Sequence, residues 1–501
     1  MGRRLRGALG GPGAPGGPGP GGGPAEAGGV WSRSRRRLTL GLVLTVSAAA
    51  FEALATATSM PATARDLGGL AWYGWAFSGF MLANIVGVTA AGAALDRQGA
   101  TRPFVAGVAL FSVGLLTAGL APAMPVVVAG RVIQGLGAGY VSSVAYVSVR
   151  RGYPQADRPA MLALLSTAWV VPGLIGPAVA GTLADNVSWR AVFLGLAPLV
   201  PLAAVLPYPA LRRLGERPAP AAPGPGGLPA GTGGRWRVVT ALVLAAGTAL
   251  LLAGLTRPSV PSLALATVGL GAMVPAARRL LLDGIGRGRP GLLAAMAVHG
   301  LVSFAFFGAE AFLPLALTSV RGQSSTAAGL ALTAATVTWT AGSWTQARLA
   351  PRGRWRLLVT TGLAVLFAGI TGVAAVLLPA VPVPTAALAW GFGGIGMGVV
   401  FSTCTLVILQ TTEPERAGAA SAAMQLAQTL GVALGTGLGG AGVALAASGA
   451  WPVRDAIGAT DGLSLLALVL AMVAAARLPR GPGDARRPRP APGRAAPTSP
   501  R

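Results

Sequence analysis

No lysine occurs in this 501-residue chain; all 39 basic residues are arginine. A phosphate-binding P-loop needs its lysine, so the chain is not expected to power itself with ATP. Schiff-base and kinase-type chemistry fall for the same reason. The single cysteine, Cys404, cannot form an internal disulfide, and the single histidine, His299, cannot build a His-rich metal site. Acidic residues number only 14, and charged residues make up 11% of the chain, where an average soluble domain carries about 25%. With 53% hydrophobic residues and a mean hydropathy of +0.64, the composition is that of a polytopic membrane protein. No nucleophile–base pair or metal cluster is visible, so no catalytic residue, metal or cofactor is expected.

The net charge is +25, which by itself invites a nucleic-acid partner. The arginines, however, fall between apolar runs instead of forming one basic face, and aromatic and basic residues are not interleaved as a strand-binding surface requires. No nucleic acid is expected.

A spanning helix needs about 20 mostly apolar residues. Six candidate spans lie near 38–60, 72–94, 104–121, 124–148, 159–183 and 190–209. Two more follow near 238–256 and 260–277, and six close the series near 290–318, 326–347, 357–379, 382–410, 417–447 and 460–477. The chain therefore divides into a Gly/Pro-rich, basic tail (1–37), a six-helix bundle (38–210), a linker with two additional spans (211–289), a second six-helix bundle (290–479) and a Pro/Arg-rich tail (480–501). Both tails are expected to be disordered. Arginines crowd alternate loops, at Arg97 and Arg102, at Arg150, Arg151 and Arg158, at Arg212, Arg213, Arg217, Arg235 and Arg237, at Arg278, Arg279, Arg287 and Arg289, at Arg348, Arg352, Arg354 and Arg356, and at Arg416. The intervening loops hold only Arg65, Arg190, Arg257, Arg321 and Arg454. The positive-inside rule makes the arginine-rich side, and with it both termini, cytoplasmic. Were the central pair one re-entrant hairpin, twelve spans would preserve the same orientation.

Glu52 and Glu310 each sit alone in an apolar run, 258 positions apart. At the same offset Arg158 meets Arg416, Gly173 meets Gly431 and Gly181 meets Gly439. A carboxylate at membrane depth costs roughly 2.5–3.5 kcal/mol on insertion scales and normally faces water or a partner. Two of them in matching halves point to a transporter whose halves surround one path. Arg131 is a permanent cation inside a third run, and Glu52 is its candidate partner. Helical spacing puts His299, Ser303, Phe306 and Glu310 on one face, a stripe suited to a cavity lining. Gln346, Gln410, Gln425 and Gln428 serve equally as substrate contacts or as helix-to-helix hydrogen bonds.

Three motifs add detail. Gly92-Ala-Ala-Leu-Asp96-Arg97-Gln-Gly99-Ala-Thr-Arg102 joins spans 2 and 3; Gly92 is expected to let helices approach, and Gly99 to make a left-handed turn. Span 4 carries Arg131-Val-Ile-Gln134-Gly135-Leu-Gly137-Ala-Gly139. Span 5 carries Gly173-Leu-Ile-Gly176-Pro177-Ala-Val-Ala180-Gly181, where Pro177 is expected to kink the helix.

Together these resemble the major facilitator superfamily and, within it, the 14-span drug:proton antiporters. The Asp96 loop resembles the superfamily's G-x-x-x-D-R-x-G-x-R/K-R/K signature, departing at Thr101. Arg131 with Gln134 and Gly135 is similar to the span-4 signature, and Gly176-Pro177-x-x-Ala180-Gly181 to the antiporter signature, although Pro172 stands where a glycine is usual. Glu52 to Pro61 keeps the spacing of the family's span-1 pattern, with Glu in place of Asp and with Leu54 and Ala57 in place of Thr and Asn. The second half keeps the basic turn Leu349–Arg356 without an Asp, and Trp390 stands near the position of Arg131. The resemblance implies an all-α major-facilitator fold, two six-helix bundles with two extra central helices, working by alternating access. It implies proton coupling at Arg131, contacts between bundles at the Asp96 loop (Gly92, Asp96, Arg97, Gly99, Arg102), and a bundle contact at Gly173, Gly176, Pro177 and Gly181. Glu52, Arg131, Gln134, Glu310 and His299 become the candidates for proton coupling and the substrate cavity.

The expected function is export of small amphipathic or cationic molecules against protons across a bacterial plasma membrane, by a monomer with no ATPase subunit. A narrow exporter of one metabolite or self-made antibiotic is the alternative within transport, and a membrane sensor or enzyme the alternative outside it.

Overall fold

A computed structural model describes residues 29–215, 232–257, 259–282, 290–413 and 416–485. The expected tails at 1–28 and 486–501, and Arg217, Arg287 and Arg289, lie outside the described residues.

Among the described residues all regular structure is helical. The helices are α1 (Arg36–Asp66), α2 (Tyr73–Gln98), α3 (Thr101–Gly119), α4 (Met124–Gly152), α5 (Arg158–Thr167), α6 (Val170–Asn186), α7 (Trp189–Val205) and α8 (Tyr208–Gly215). The central pair is α9 (Thr232–Gly254) and α10 (Val260–Leu282). Then come α11 (Pro290–Leu315), α12 (Ser325–Leu349), α13 (Trp355–Ala375), α14 (Thr385–Thr411), α15 (Ala417–Ala447), α16 (Val453–Ala475) and the short α17 (Pro482–Ala485).

Twelve of these segments are long and apolar enough to cross a bilayer, or thirteen if α7 and α8, bent by 47° at their junction, count as one span. Each helix of the central pair qualifies by itself. Among the fourteen runs read from the sequence, the one at 326–347 is α12, whose 25 residues reach far enough but include too many Thr, Ser and Gln to qualify on apolarity.

Packing repeats between the halves. In the first, α4 lies on α2 and α3, while α1 lies on α6 and α7, and α3 on α7. In the second, α14 lies on α12 and α13, while α11 lies on α15 and α16, and α13 on α16. The two halves meet where α6 packs on α12 and α2 packs on α15. The central helices α9 and α10 pack on each other and lie against α2 and α15 at that seam.

Local chemistry explains where elements break. Span 5 is interrupted at Ala168–Trp169, between α5 and α6, and not at Pro177, which lies inside α6. Pro172 is the cause: it has no N–H to give the carbonyl four residues back, which is that of Ala168. Ser47 Oγ of α1 donates to that freed carbonyl at 2.9 Å. Gly99 takes φ 71° as expected at the end of α2. At the N-terminal side, Gly29–Arg35, which composition assigned to the tail, is docked: Arg35 pairs with Asp157 at 2.7 Å and Thr39 Oγ1 donates to the Val30 carbonyl at 2.6 Å. Likewise Arg480, at the start of the other tail, accepts the Trp355 amide at 3.0 Å.

The seam between the halves is not uniform along its length. At the end carrying Asp66, Asp185 and Ser325, the arginine-poor end, Gly74 of α2 touches Gly440 of α15 backbone to backbone. There too Tyr73 Oη donates to the Ala311 carbonyl at 2.9 Å. At the opposite, arginine-rich end, Gly92 of α2 and Gly418 of α15 have open space beside them. On that half of α12, Trp344 is 66% exposed, and α5 packs on α1, α4 and α6 of its own half. The molecule is closed at the arginine-poor end and parts toward the arginine-rich end.

Candidate functional site: a buried carboxylate–guanidinium cluster

Close approach of α4 to its neighbours builds the site. A side chain at Gly135 would strike the Phe80 carbonyl of α2, and one at Gly114 of α3 would meet Gln134 Cγ at 2.5 Å. With those side chains absent, Arg131 reaches across α2 and Gln134 fits beside α3. Glu52 comes from the middle of α1.

Arg131 Nη1 donates to Glu52 Oε1 and to Gln134 Oε1 at 3.0 Å. Its Nε donates to the Ala76 carbonyl at 3.0 Å, and its guanidinium lies 4.3 Å over the Phe80 ring. Thr56 Oγ1, one turn along α1, donates to the same Glu52 oxygen at 2.8 Å, and Gln134 Nε2 does so at 3.4 Å. Glu52 is 1%, Arg131 2% and Gln134 0% exposed. Among the described residues the donors to Glu52 converge on Oε1, and no partner is found for Oε2.

Three contacts of Arg131, to the Ala76 carbonyl, Gln134 Oε1 and the Phe80 ring, do not involve Glu52 itself. An ion pair so supported tolerates neutralisation of one member, whereas a bare buried pair leaves its partner an uncompensated charge.

The second half holds no such pair among the described residues. Trp390 of α14, near the position of Arg131 under the 258 offset, stacks on Phe306 at 4.6 Å. His299 lies 4.4 Å from Phe401 and is fully buried, with the Gln428 side chain the polar group beside it. The stripe expected to line a cavity is therefore, at His299 and Phe306, packed against α14: aromatic rings occupy the space that charges occupy in the first half. Glu310 is 9% exposed, and no hydrogen bond or ion pair is found for it among the described residues.

The motif residues distribute as follows. Asp96 and Arg102 are exposed, and Arg97 Nε donates only to the Ala93 carbonyl at 3.2 Å. Among the described residues nothing lies beside Gly92; α2 approaches α4 five residues earlier, where Gly87 touches the Leu136 carbonyl. Gly173 meets Thr336, Gly181 meets the Ser325 carbonyl, and the Pro177 carbonyl touches Gly329, all across the α6–α12 seam. Gly176 instead faces Phe51 of α1.

Two acidic residues escaped the sequence reading. Asp461 is 2% exposed with Oδ2 unpartnered, as is the Ser464 hydroxyl one turn on. The last span begins at Val453, not near 460, which puts Asp461 well inside α16; a lone acid three residues from a serine in an apolar run was the available signal. Asp185 closes α6 and contacts α12.

The family description "Major Facilitator Superfamily" matches residues 40–436. A Mycobacterium tuberculosis protein named "Probable multidrug-efflux transporter" is 28% identical over 415 residues, covering 79% of this chain and 84% of its own. A "Drug efflux pump JefA" of the same organism is 34% identical over 129 residues, 25% of each chain. Among solved structures, a bacterial homolog of the human lysosomal transporter Spinster, inward-facing and unoccupied, aligns with TM-score 0.61 at 15% identity, covering 89% of this chain and 98% of that one. A D-xylose–proton symporter aligns with TM-score 0.55 at 15% identity, covering 86% and 96%. Matched over most of its length, and folded as helical halves about one seam, this integral membrane transporter belongs to the Major Facilitator Superfamily.

Proposed function

We propose that the protein exports small amphipathic or cationic compounds in exchange for protons. The observation that carries this reading is the Glu52 carboxylate, buried at mid-helix, with one oxygen held by Arg131, Gln134 and Thr56 and no partner found for the other among the described residues. A proton taken up at Oε2 cancels the attraction to Arg131. The guanidinium stays in place on Ala76, Gln134 and Phe80, so the loss loosens α1 from α4 without leaving the cation adrift. Coupling then follows if protonated and ionised Glu52 favour different openings of the two halves.

The reading places the molecule in a bacterial plasma membrane as a monomer, with both termini and the arginine-rich end cytoplasmic. In that orientation the structure is open to the cytoplasm, the state that loads cargo for export. Glu310, for which no partner is found among the described residues, is the proposed attraction for a cationic cargo. The names of the mycobacterial relatives agree with export of drugs.

The test is transport by purified protein in liposomes under an imposed pH gradient, across a panel of organic cations, neutral amphiphiles and small metabolites. Gradient-driven movement of several amphipathic cations supports the reading. Movement of one metabolite alone establishes the narrow exporter, and no gradient dependence for any compound refutes proton coupling.

A further inference from the structure

The first turn of α12 has its backbone amides capped by a residue from the other half of the molecule. The Ser325 amide donates to Asp185 Oδ1 at 3.0 Å, and the Thr326 amide to Asp185 Oδ2 at 2.8 Å. The Thr326 hydroxyl donates to the same Oδ2 at 2.7 Å. Ser324 Oγ takes the Ala327 amide at 3.1 Å. A helix begins with four amides that have no partner within it, and here two of them are met by a carboxylate 140 and 141 positions away. The charge also sits where the helix dipole favours an anion.

The placement matters because α6 and α12 form one of the two main helix pairs joining the halves. Directly beneath the carboxylate, a side chain at Gly181 would lie 2.5 Å from the Ser325 carbonyl, and Gly329 touches the Pro177 carbonyl. Thr58 of α1, fully buried, packs beside Gly329 in the same layer. These backbones are too close for side chains to bridge, so among the described residues the polar contact at the rim is the directional tie between α6 and α12. At the other end of the molecule Asp96, the acid of the loop motif, is exposed with no hydrogen bond found among the described residues. The structure thus has its acidic tie made at the closed end and none made by Asp96 at the parted end.

We infer that Asp185 is the latch of the arginine-poor gate, holding it shut through the N-terminus of α12 and releasing each time that end opens. The inference rests on the alternating-access part of the proposed function and not on proton coupling or substrate class. Asp185→Ala removes both acceptors; Asp185→Asn keeps the shape and one acceptor oxygen but loses the charge, so one of the two amides loses its partner.

The test uses full-length protein carrying Cys404→Ala and Thr58→Cys, with a membrane-impermeant maleimide applied from the arginine-poor side, without substrate or gradient. Labelling at position 58 is expected to run about twofold to thirtyfold faster with Asp185→Ala, the range a lost helix cap implies, and to rise less with Asp185→Asn. Equal labelling rates in protein with Asp185, Asn and Ala overturn the latch even if transport is normal. A second arm bridges Asp185→Cys and Thr326→Cys with a short cleavable thiol cross-linker. Transport is expected to fall at least tenfold when bridged and to return on cleavage; undiminished transport by bridged protein overturns the inference. Loss of transport in the unmodified protein would count against the proposed function instead, and leaves the labelling result standing.

Discussion

Arg131 and Glu52, 79 positions apart, form an ion pair in which the guanidinium side chain is 3% and the carboxylate side chain 1% exposed. Their energies should be coupled, because the pair offsets part of what each charge loses on leaving water. Glu52→Gln and Arg131→Gln are each expected to lower the thermal unfolding midpoint in detergent. The double variant should lose less than the two losses added, with a coupling of about 1–3 kcal/mol. Strict additivity in that cycle would show that the pair does not hold α1 to α4.

Arg131→Lys keeps the charge but not the fork. One ammonium cannot serve Glu52, the Ala76 carbonyl and Gln134 together in the geometry the planar guanidinium uses, and it loses the stacking on Phe80. Transport is expected to fall at least tenfold while the protein remains folded by size-exclusion chromatography. Parental transport in the Lys variant would reduce Arg131 to a point charge.

Gly440 and Gly418 lie on the same helix, α15, and offer an internal control. A methyl group at Gly440 would strike the Gly74 backbone, which has no side chain to move aside, whereas one at Gly418 meets nothing. Overpacking of that kind costs about 1–3 kcal/mol, enough to shift an opening equilibrium about 5- to 150-fold. Gly440→Ala is therefore expected to slow transport at least several-fold and Gly418→Ala to leave it within about twofold. Equal rates in the two variants would mean that the α2–α15 contact is not part of the moving seam.

Orientation is open to direct labelling. A cysteine replacing Trp451, 47% exposed at the arginine-poor end, should react with an impermeant reagent on intact cells. One replacing Arg352, exposed at the other end, should react only after permeabilisation. The reverse pattern would invert the proposed direction of transport.

The sequence exposed the helices and the central pair of charges because both are costly exceptions. Long apolar runs admit few other structures, and a lone Glu52 or Arg131 inside one demands a partner. Contacts set by the approach of backbones were less legible. Gly92 and Gly87 look alike as letters, and only the crossing of α2 with α4 decides which is pressed. The turn at Ala168–Trp169 in span 5 falls where Pro172 frees the Ala168 carbonyl, and the letters alone did not show that Ser47 would stand beside it. Asp185 reads as an ordinary acid at a span's end, because its partners are amides, which every residue but proline carries. The stripe from His299 to Glu310 has the right period for a cavity lining, but period alone cannot say whether a face meets water or, as at Phe306, the Trp390 ring.

The central claim is that Glu52 carries the exchanged proton. Its most direct test is transport of an amphipathic cation by parental and Glu52→Gln protein in liposomes, measured with and without an imposed pH gradient. Uphill movement driven by the gradient is expected to vanish in the Gln variant, while downhill movement of the same cation persists. Gradient-driven accumulation that survives the substitution contradicts the account.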